Sequence, residues 1–207
     1  MHGKNLVYII GFMGSGKSTA GKKLAAALGW DFIDLDRKIE AEAGKSITEI
    51  FSQDSEERFR SLETEVLRSL QTHVKTIVST GGGTPCHADN MKFMLDTGVT
   101  VYIKMSTSQL VSRLLGSTGK RPVLKNVPDD KLYSFIEEKL AVREKFYNKA
   151  NIIIEGINLD INNLQSIIRL GAGIIRSRIQ RKIVKIVTKP KLAVEKFLKR
   201  ILVWKYV

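Results

Sequence analysis

The chain is poor in cysteine, proline and histidine, with one, four and three of them in 207 residues, and only 7% of it is aromatic. A single thiol, Cys86, cannot close an internal disulfide and has no partner at metal-ligand spacing. A disulfide scaffold and a zinc module are therefore excluded, and a reducing, cytoplasmic setting is expected. Cys86 itself reads as a small buried apolar residue. His2, His73 and His87 are scattered, with neither metal-ligand spacing nor a Ser/His/Asp arrangement, and carry no assigned chemistry. No stretch approaches the ~20 uninterrupted apolar residues of a membrane span, and the start lacks the basic and apolar regions of a secretory leader. A soluble protein without a transmembrane segment is expected.

Acidic residues are also few, 21 against 34 Lys and Arg, and the net charge is +13. Its location matters more than its size. After Leu170 there are eleven Lys and Arg against Glu195 alone, a contribution of +10 that leaves +3 for the first 170 residues. The body is close to balanced, so the composition gives no nucleic-acid-binding core and no nucleic-acid partner is expected.

What the sequence does have is a loop, Gly11-Phe12-Met13-Gly14-Ser15-Gly16-Lys17-Ser18-Thr19, between the apolar run Leu6 to Ile10 and a helical run ending at Leu28. Gly-x-x-x-x-Gly-Lys-Ser between a strand and a helix is the P-loop pattern. Its glycines let successive backbone N–H groups turn toward an anion, and the helix that follows points its partly positive end the same way. Lys17 supplies a mobile cation for the β- and γ-phosphates, and the Ser18 hydroxyl is a hard oxygen ligand suited to Mg²⁺. A turn that merely capped a helix would explain Gly11 or Gly16 but not Lys17 followed by Ser18.

Along the chain, short apolar runs alternate with helical ones. Strands are expected at 5–10, 30–34, 75–79, 99–104 and 151–154, with helices between them and a final core helix over 160–170. Gly29 reads as a helix C-cap, and Ser46 with Glu49 as a capping box. Five strands alternating with helices, without an internal repeat, predict a three-layer α/β/α fold around a five-stranded parallel sheet, like that of P-loop NTP hydrolases. Ligands of such sheets sit beyond the carboxyl ends of the strands, which draws attention to what leaves each strand.

Asp34 and Asp36 leave the second strand together. Asp34 is placed to reach a metal shell and Asp36 to accept from a substrate hydroxyl, although Asp36 also suits the N-cap of the next helix. Arg60, beside Glu63 and one turn after Glu56, is either part of a solvated ion-pair ladder or a cation held for an anionic ligand. Gly81-Gly82-Gly83 at the end of the third strand is either a flexible turn or bare backbone walling a site. The polar, cationic stretch around 116–126 reads as a lid carrying Arg121, and the helix over 129–147 presents Arg143.

Together these motifs resemble the shikimate kinases, of the nucleoside-monophosphate-kinase-like group of P-loop proteins. The resemblance spans 5 to about 155 and rests on six features in family order. These are the P-loop; Phe32-Ile33-Asp34-Leu35-Asp36 with Ile39-Glu40; Gly44-Lys45-Ser46-Ile47 leading to Ile50-Phe51; Phe59-Arg60 with Glu63; Gly81-Gly82-Gly83; and Arg121-Pro122. It implies that Asp36 hydrogen-bonds the ring hydroxyls of shikimate, that Arg60 and Arg143 grip its carboxylate, and that Gly81, Gly82 and Gly83 offer backbone N–H groups. It further implies that Gly14, Ser15, Gly16, Lys17, Ser18 and Thr19 hold ATP, with Arg113 near the adenine and Arg121 closing onto the phosphates. Ser18 and Asp34 would serve Mg²⁺, and Lys17, Asp36 and Arg121 would be the catalytic groups. The family's usual adenine-contacting segment is not evident in 155–163.

The reaction implied is phosphorylation of shikimate by ATP to shikimate 3-phosphate, and a monomer is expected. On this reading 1–170 is the kinase domain and 171–207 a basic amphipathic extension, with Ile175, Ile179, Ile183 and Ile186 at helical spacing. Two rivals keep the P-loop: a gluconate kinase, which would not need Asp36, Arg60 and Arg143 to converge, and a nucleotide-dependent binding module recruited through its tail.

Overall fold

A computed structural model describes residues 6–116, 124 and 127–174. Five parallel strands, β1 (Leu6–Ile10), β2 (Asp31–Asp34), β3 (Thr76–Ser79), β4 (Val99–Lys104) and β5 (Ile152–Glu155), lie in the order β2-β3-β1-β4-β5. The strands are short apolar runs because a parallel sheet is covered on both faces. Side chains alternate accordingly: Leu6, Tyr8 and Ile10 of β1 enter one core, and Val7 and Ile9 the other.

On the Val7 and Ile9 side lie α1 (Lys17–Leu28), through Ala20, Leu24 and Ala25, and α8 (Ile161–Ile174), through Leu164 and Ile168. The Tyr8 side is covered by α2 (Leu35–Ala43), α4 (Glu56–Ser69), α5 (Asn90–Thr97), α6 (Thr107–Leu115) and α7 (Leu132–Tyr147). This is the expected three-layer arrangement. A short α3 (Ile47–Glu49) runs into a π-helical turn, Ile50–Asp54, ahead of α4.

Local chemistry fixes the element ends. Gly29, at φ 67°, closes α1 by donating to Ala25 O and Ala26 O. Capping boxes start α3, with Ser46 and Glu49, and α6, with Ser106 and Gln109. α4 ends in a 3₁₀ turn at Leu70–Thr72, and the helix expected over 129–147 is divided, α7 being preceded by a 3₁₀ turn at Asp129–Lys131. Asp36 is not an N-cap: that place belongs to Asp34, and Asp36 falls in the first turn of α2, where a carboxylate suits the helix's positive end. Most of the segment expected as a lid, with Arg121, and the extension after Ile174 lie outside the described residues.

Register positions the site. Ile9 pairs with Ser79, and Asp34 with the same Ser79, so the exits of β1, β3 and β2 stand side by side. One glycine limits how closely β4 can join: a Cβ on Gly98 would stand 2.6 Å from Leu6 O and 2.8 Å from the Tyr8 ring. Neither the central-strand carbonyl nor the buried ring can retreat, so Gly98→Ala should cost about 1–3 kcal/mol, read as a lower urea midpoint with unchanged slope.

Candidate active site

The loop after β1 is built for an anion. Gly11, Gly14 and Gly16 hold φ values of 145°, 78° and 90°, left-handed backbone that side chains resist. At Gly11 a Cβ would also stand 2.8 Å from Ile103 O of β4. Gly16 is the N-cap of α1 and has no side chain to cap it, so the helix's partly positive end faces the loop without a capping side chain in the way. Ser15 Oγ is buried within the loop without a hydrogen-bond partner, and Lys17 Nζ donates to Phe12 O at 2.9 Å across it. The exposed Thr19 follows on α1.

The start of α1 and the ends of β2 and β3 bring three oxygen groups together beside this cradle. Ser18 Oγ donates to Asp34 Oδ2 at 2.7 Å and lies 3.1 Å from Ser79 Oγ. A hydroxyl, a carboxylate and a second hydroxyl form a hard-oxygen donor set that fits Mg²⁺. Among the described residues no group of three or more His, Cys, Asp or Glu side chains gathers to hold a metal. Any ion here would draw on few protein ligands, as Mg²⁺ beside a nucleotide does. Arg113 of α6 spans the loop's far side, donating to Ser15 O and Gly156 O, each at 3.1 Å.

A second niche adjoins the first. The loop Gly81–Gly83 follows β3, and a Cβ on Gly82 would lie 3.4 Å from Met13 N and 3.5 Å from Gly11 O, so the two loops touch backbone to backbone. Around it gather the residues singled out by sequence. A Cβ on Gly81 would stand 3.0 Å from Asp36 Oδ1, one on Gly82 3.3 Å from an Arg143 nitrogen, and one on Gly83 2.7 Å from two Arg60 nitrogens. Asp36, Arg60 and Arg143, from α2, α4 and α7, thus meet over three residues that leave them room by having no side chain.

Each guanidinium is held from several directions. Arg60 donates to Glu63 at 2.8 Å, reaches Glu56 at 3.4 Å and stacks over Phe59, its guanidinium carbon 5.2 Å from the ring centroid. Burial works against its charge, but Glu63 and then Glu56 outweigh burial and hold its pKa above the ordinary value. Arg143 lies 5.2 Å over the Phe12 ring of the P-loop, and one of its nitrogens stands 3.3 Å from where a Cβ on Gly82 would lie. Cation stacked on ring face is favourable for a planar guanidinium.

Sequence reading overlooked Glu63 as part of the site. It is 1% exposed and accepts from Arg60 on one oxygen and from Thr84 Oγ1, at 2.5 Å, on the other. The signal was present: the buried face of α4 is Phe59, Glu63, Val66 and Leu67, with Leu62 only partly buried, so a carboxylate sits on an apolar stripe. A buried carboxylate at such a position requires partners, and Arg60 is one. Tyr147 and Phe12 gave no comparable signal, because buried aromatics are ordinary core.

A parallel sheet with a phosphate cradle at its central strand, and a niche of guanidinium and carboxylate groups beside it, defines a P-loop kinase that acts on a small molecule. The model of the shikimate kinase family matches residues 13–162. A shikimate kinase of Parabacteroides distasonis is 44% identical over 149 residues, 72% of this chain and 86% of that protein. The crystal structure of shikimate kinase from Bacteroides thetaiotaomicron superposes with a TM-score of 0.73 at 35% identity, covering 84% of this chain and 99% of that one. That of Acinetobacter baumannii, in complex with shikimate, gives 0.71 at 29% identity over 86% and 96%. The chain belongs to the shikimate kinase family.

Cys86, on the turn after Gly83, is half-buried, and burial pushes its thiol up to about 11 against the pull of Arg143 and Arg60. Since the fold favours the neutral thiol, that contribution to stability is present below the unfolded value near 9 and lost as pH climbs toward 11. The thiolate is the nucleophile, so iodoacetamide at pH 8 should label Cys86 at least about 50-fold more slowly than a free thiol. Labelling as fast as that of the unfolded chain would contradict this environment.

Proposed function

We infer that the chain transfers the γ-phosphoryl group of ATP to a hydroxyl of shikimate, giving ADP and shikimate 3-phosphate on the route to chorismate and the aromatic amino acids. The observation that carries this reading is the meeting of Asp36, Arg60 and Arg143 over Gly81–Gly83, in contact with the P-loop. A gluconate kinase or a nucleotide-dependent binding module would not require that meeting.

In this reading the P-loop residues 14–19 bind the phosphates, and Lys17 turns its ammonium from Phe12 O toward the transferring group. Phosphoryl transfer asks mainly for alignment and charge neutralisation. Arg60 and Arg143 take the acceptor's carboxylate, for which planar forks are suited, and this places a ring hydroxyl at Asp36. Asp36 orients that hydroxyl and accepts its proton as the bond to phosphorus forms. Mg²⁺, when bound, neutralises charge on the β- and γ-phosphates, and Ser18 and Asp34 are the residues that would hold it.

Arg113 borders the adenine side, and Arg121 is assigned to closure over the phosphates from the sequence alone. We take 1–170 as the catalytic unit, with the lid at about 116–126 and the basic extension at 171–207. Among the described residues no helix is long and apolar enough to cross a membrane. The assigned groups all come from one chain, so a monomer suffices, and a lone thiol suits a cytoplasmic setting.

Coupled ADP release with shikimate, with gluconate and without acceptor tests the assignment. Shikimate alone should stimulate turnover, and equal rates in all three would overturn it. Asp36→Asn should lower kcat by about 100-fold or more while leaving KM for ATP within about twofold. An unchanged kcat would remove Asp36 from the mechanism.

A further inference from the structure

The reaction as described leaves one buried polar group beside the acceptor niche without a task. Tyr147, the last residue of α7, is fully buried, its ring 5.0 Å from that of Tyr102. Tyr102 in turn abuts the P-loop, where a Cβ on Gly11 would stand 3.6 Å from its ring. Burial holds the Tyr147 phenol well above its ordinary pKa, so the hydroxyl keeps a proton to give and lone pairs to receive with. It gives the proton to Gly82 O, at 2.5 Å. Arg143, four residues earlier and so on the same face of α7, stands beside Gly82: one of its nitrogens would lie 3.3 Å from a Cβ there.

Both groups need such a hold. A glycine carbonyl between two other glycines has no side chain to fix its peptide plane, and an arginine fork has several rotatable bonds behind it. Carbonyl and following N–H lie on opposite sides of one planar peptide. Drawing Gly82 O toward α7 therefore turns Gly83 N–H away from α7. Phe12 limits the Arg143 fork from its face, and the Gly82 backbone that the phenol holds limits it from another side.

We propose that Tyr147 is a positioning residue for the acceptor: its hydroxyl fixes Gly82 O beside the Arg143 guanidinium, setting the glycine loop and the fork in the geometry that receives the acceptor's carboxylate. The proposal rests on the assignment of Arg143 to that carboxylate.

Tyr147→Phe removes the oxygen and keeps the ring against Tyr102. Tyr102→Phe serves as control, because its hydroxyl donates to Glu144, at 3.4 Å, rather than to the glycine loop. KM for shikimate should rise about tenfold or more in Tyr147→Phe, with KM for ATP within about twofold and kcat within about threefold, and should hardly move in Tyr102→Phe. The carboxamide analogue of shikimate, which presents no carboxylate to Arg143, should bind wild type and Tyr147→Phe within about twofold of each other by calorimetry.

An unchanged shikimate KM, an equal rise in both KM values, or the same loss for the carboxamide would overturn the proposal. So would a Tyr147→Phe protein that fails to fold, since the hydroxyl would then be an element of stability. Wild-type turnover of shikimate, measured alongside, reports separately on the assigned reaction.

Discussion

The contact on which the active site depends is small. Thr80, the first residue beyond β3, donates from both its N–H and its hydroxyl to Ile9 O, each at 3.2 Å. This extends the β1–β3 pairing by one residue past the last ladder position and binds two loops to a common origin. A loop leaving a sheet is free to wander, and these two are prevented from parting before they turn. The phosphate cradle and the glycine wall then diverge from one fixed point, so the distance between donor and acceptor is set by the sheet rather than by the loops. Parallel pairing buried on both faces is rigid enough to carry that precision.

Electrostatics supplies the second constraint. Glu63 is a buried carboxylate, costly unless its oxygens are occupied, and Arg60 and Thr84 occupy them. The same pairing fixes the guanidinium that crowds Gly83, so one buried charge orients another at the edge of the niche. A lysine in place of Arg60 would offer no fork, and an exposed glutamate in place of Glu63 would leave the arginine free to sweep. Phe59 and Phe12 finish the task from the ring faces. Core aromatics thereby serve the site without touching chemistry.

Much of this was legible in the chain, for identifiable reasons. The P-loop and β4 fell where they were read, since a strand buried on both faces is an unbroken apolar run and Gly-Lys-Ser has few other uses. Gly29 and Ser46 marked helix ends by backbone chemistry that acts locally. The ambiguity of Asp36 was of another kind: one helix start offered two carboxylates, and only the tertiary partner Ser18 shows why Asp34 takes the boundary place. Glu63 was readable only once the true buried face of α4 was known. Tyr147 could not be read at all, because its partner is a main-chain carbonyl 65 residues away and a backbone atom leaves no letter in a sequence.

The balance of formal charge in the niche has a consequence for turnover. Among the described residues, Arg60 and Arg143 stand there against Asp36 and Glu63, two positive groups and two negative. A monoanion can still be gripped, because forks read shape as well as sign. An acid that has just gained a phosphate carries about two further negative charges and meets no surplus of positive potential on the acceptor side. In the proposed reaction, the niche would therefore hold the esterified acid no more tightly by charge than the unmodified one, and that balance would favour its departure.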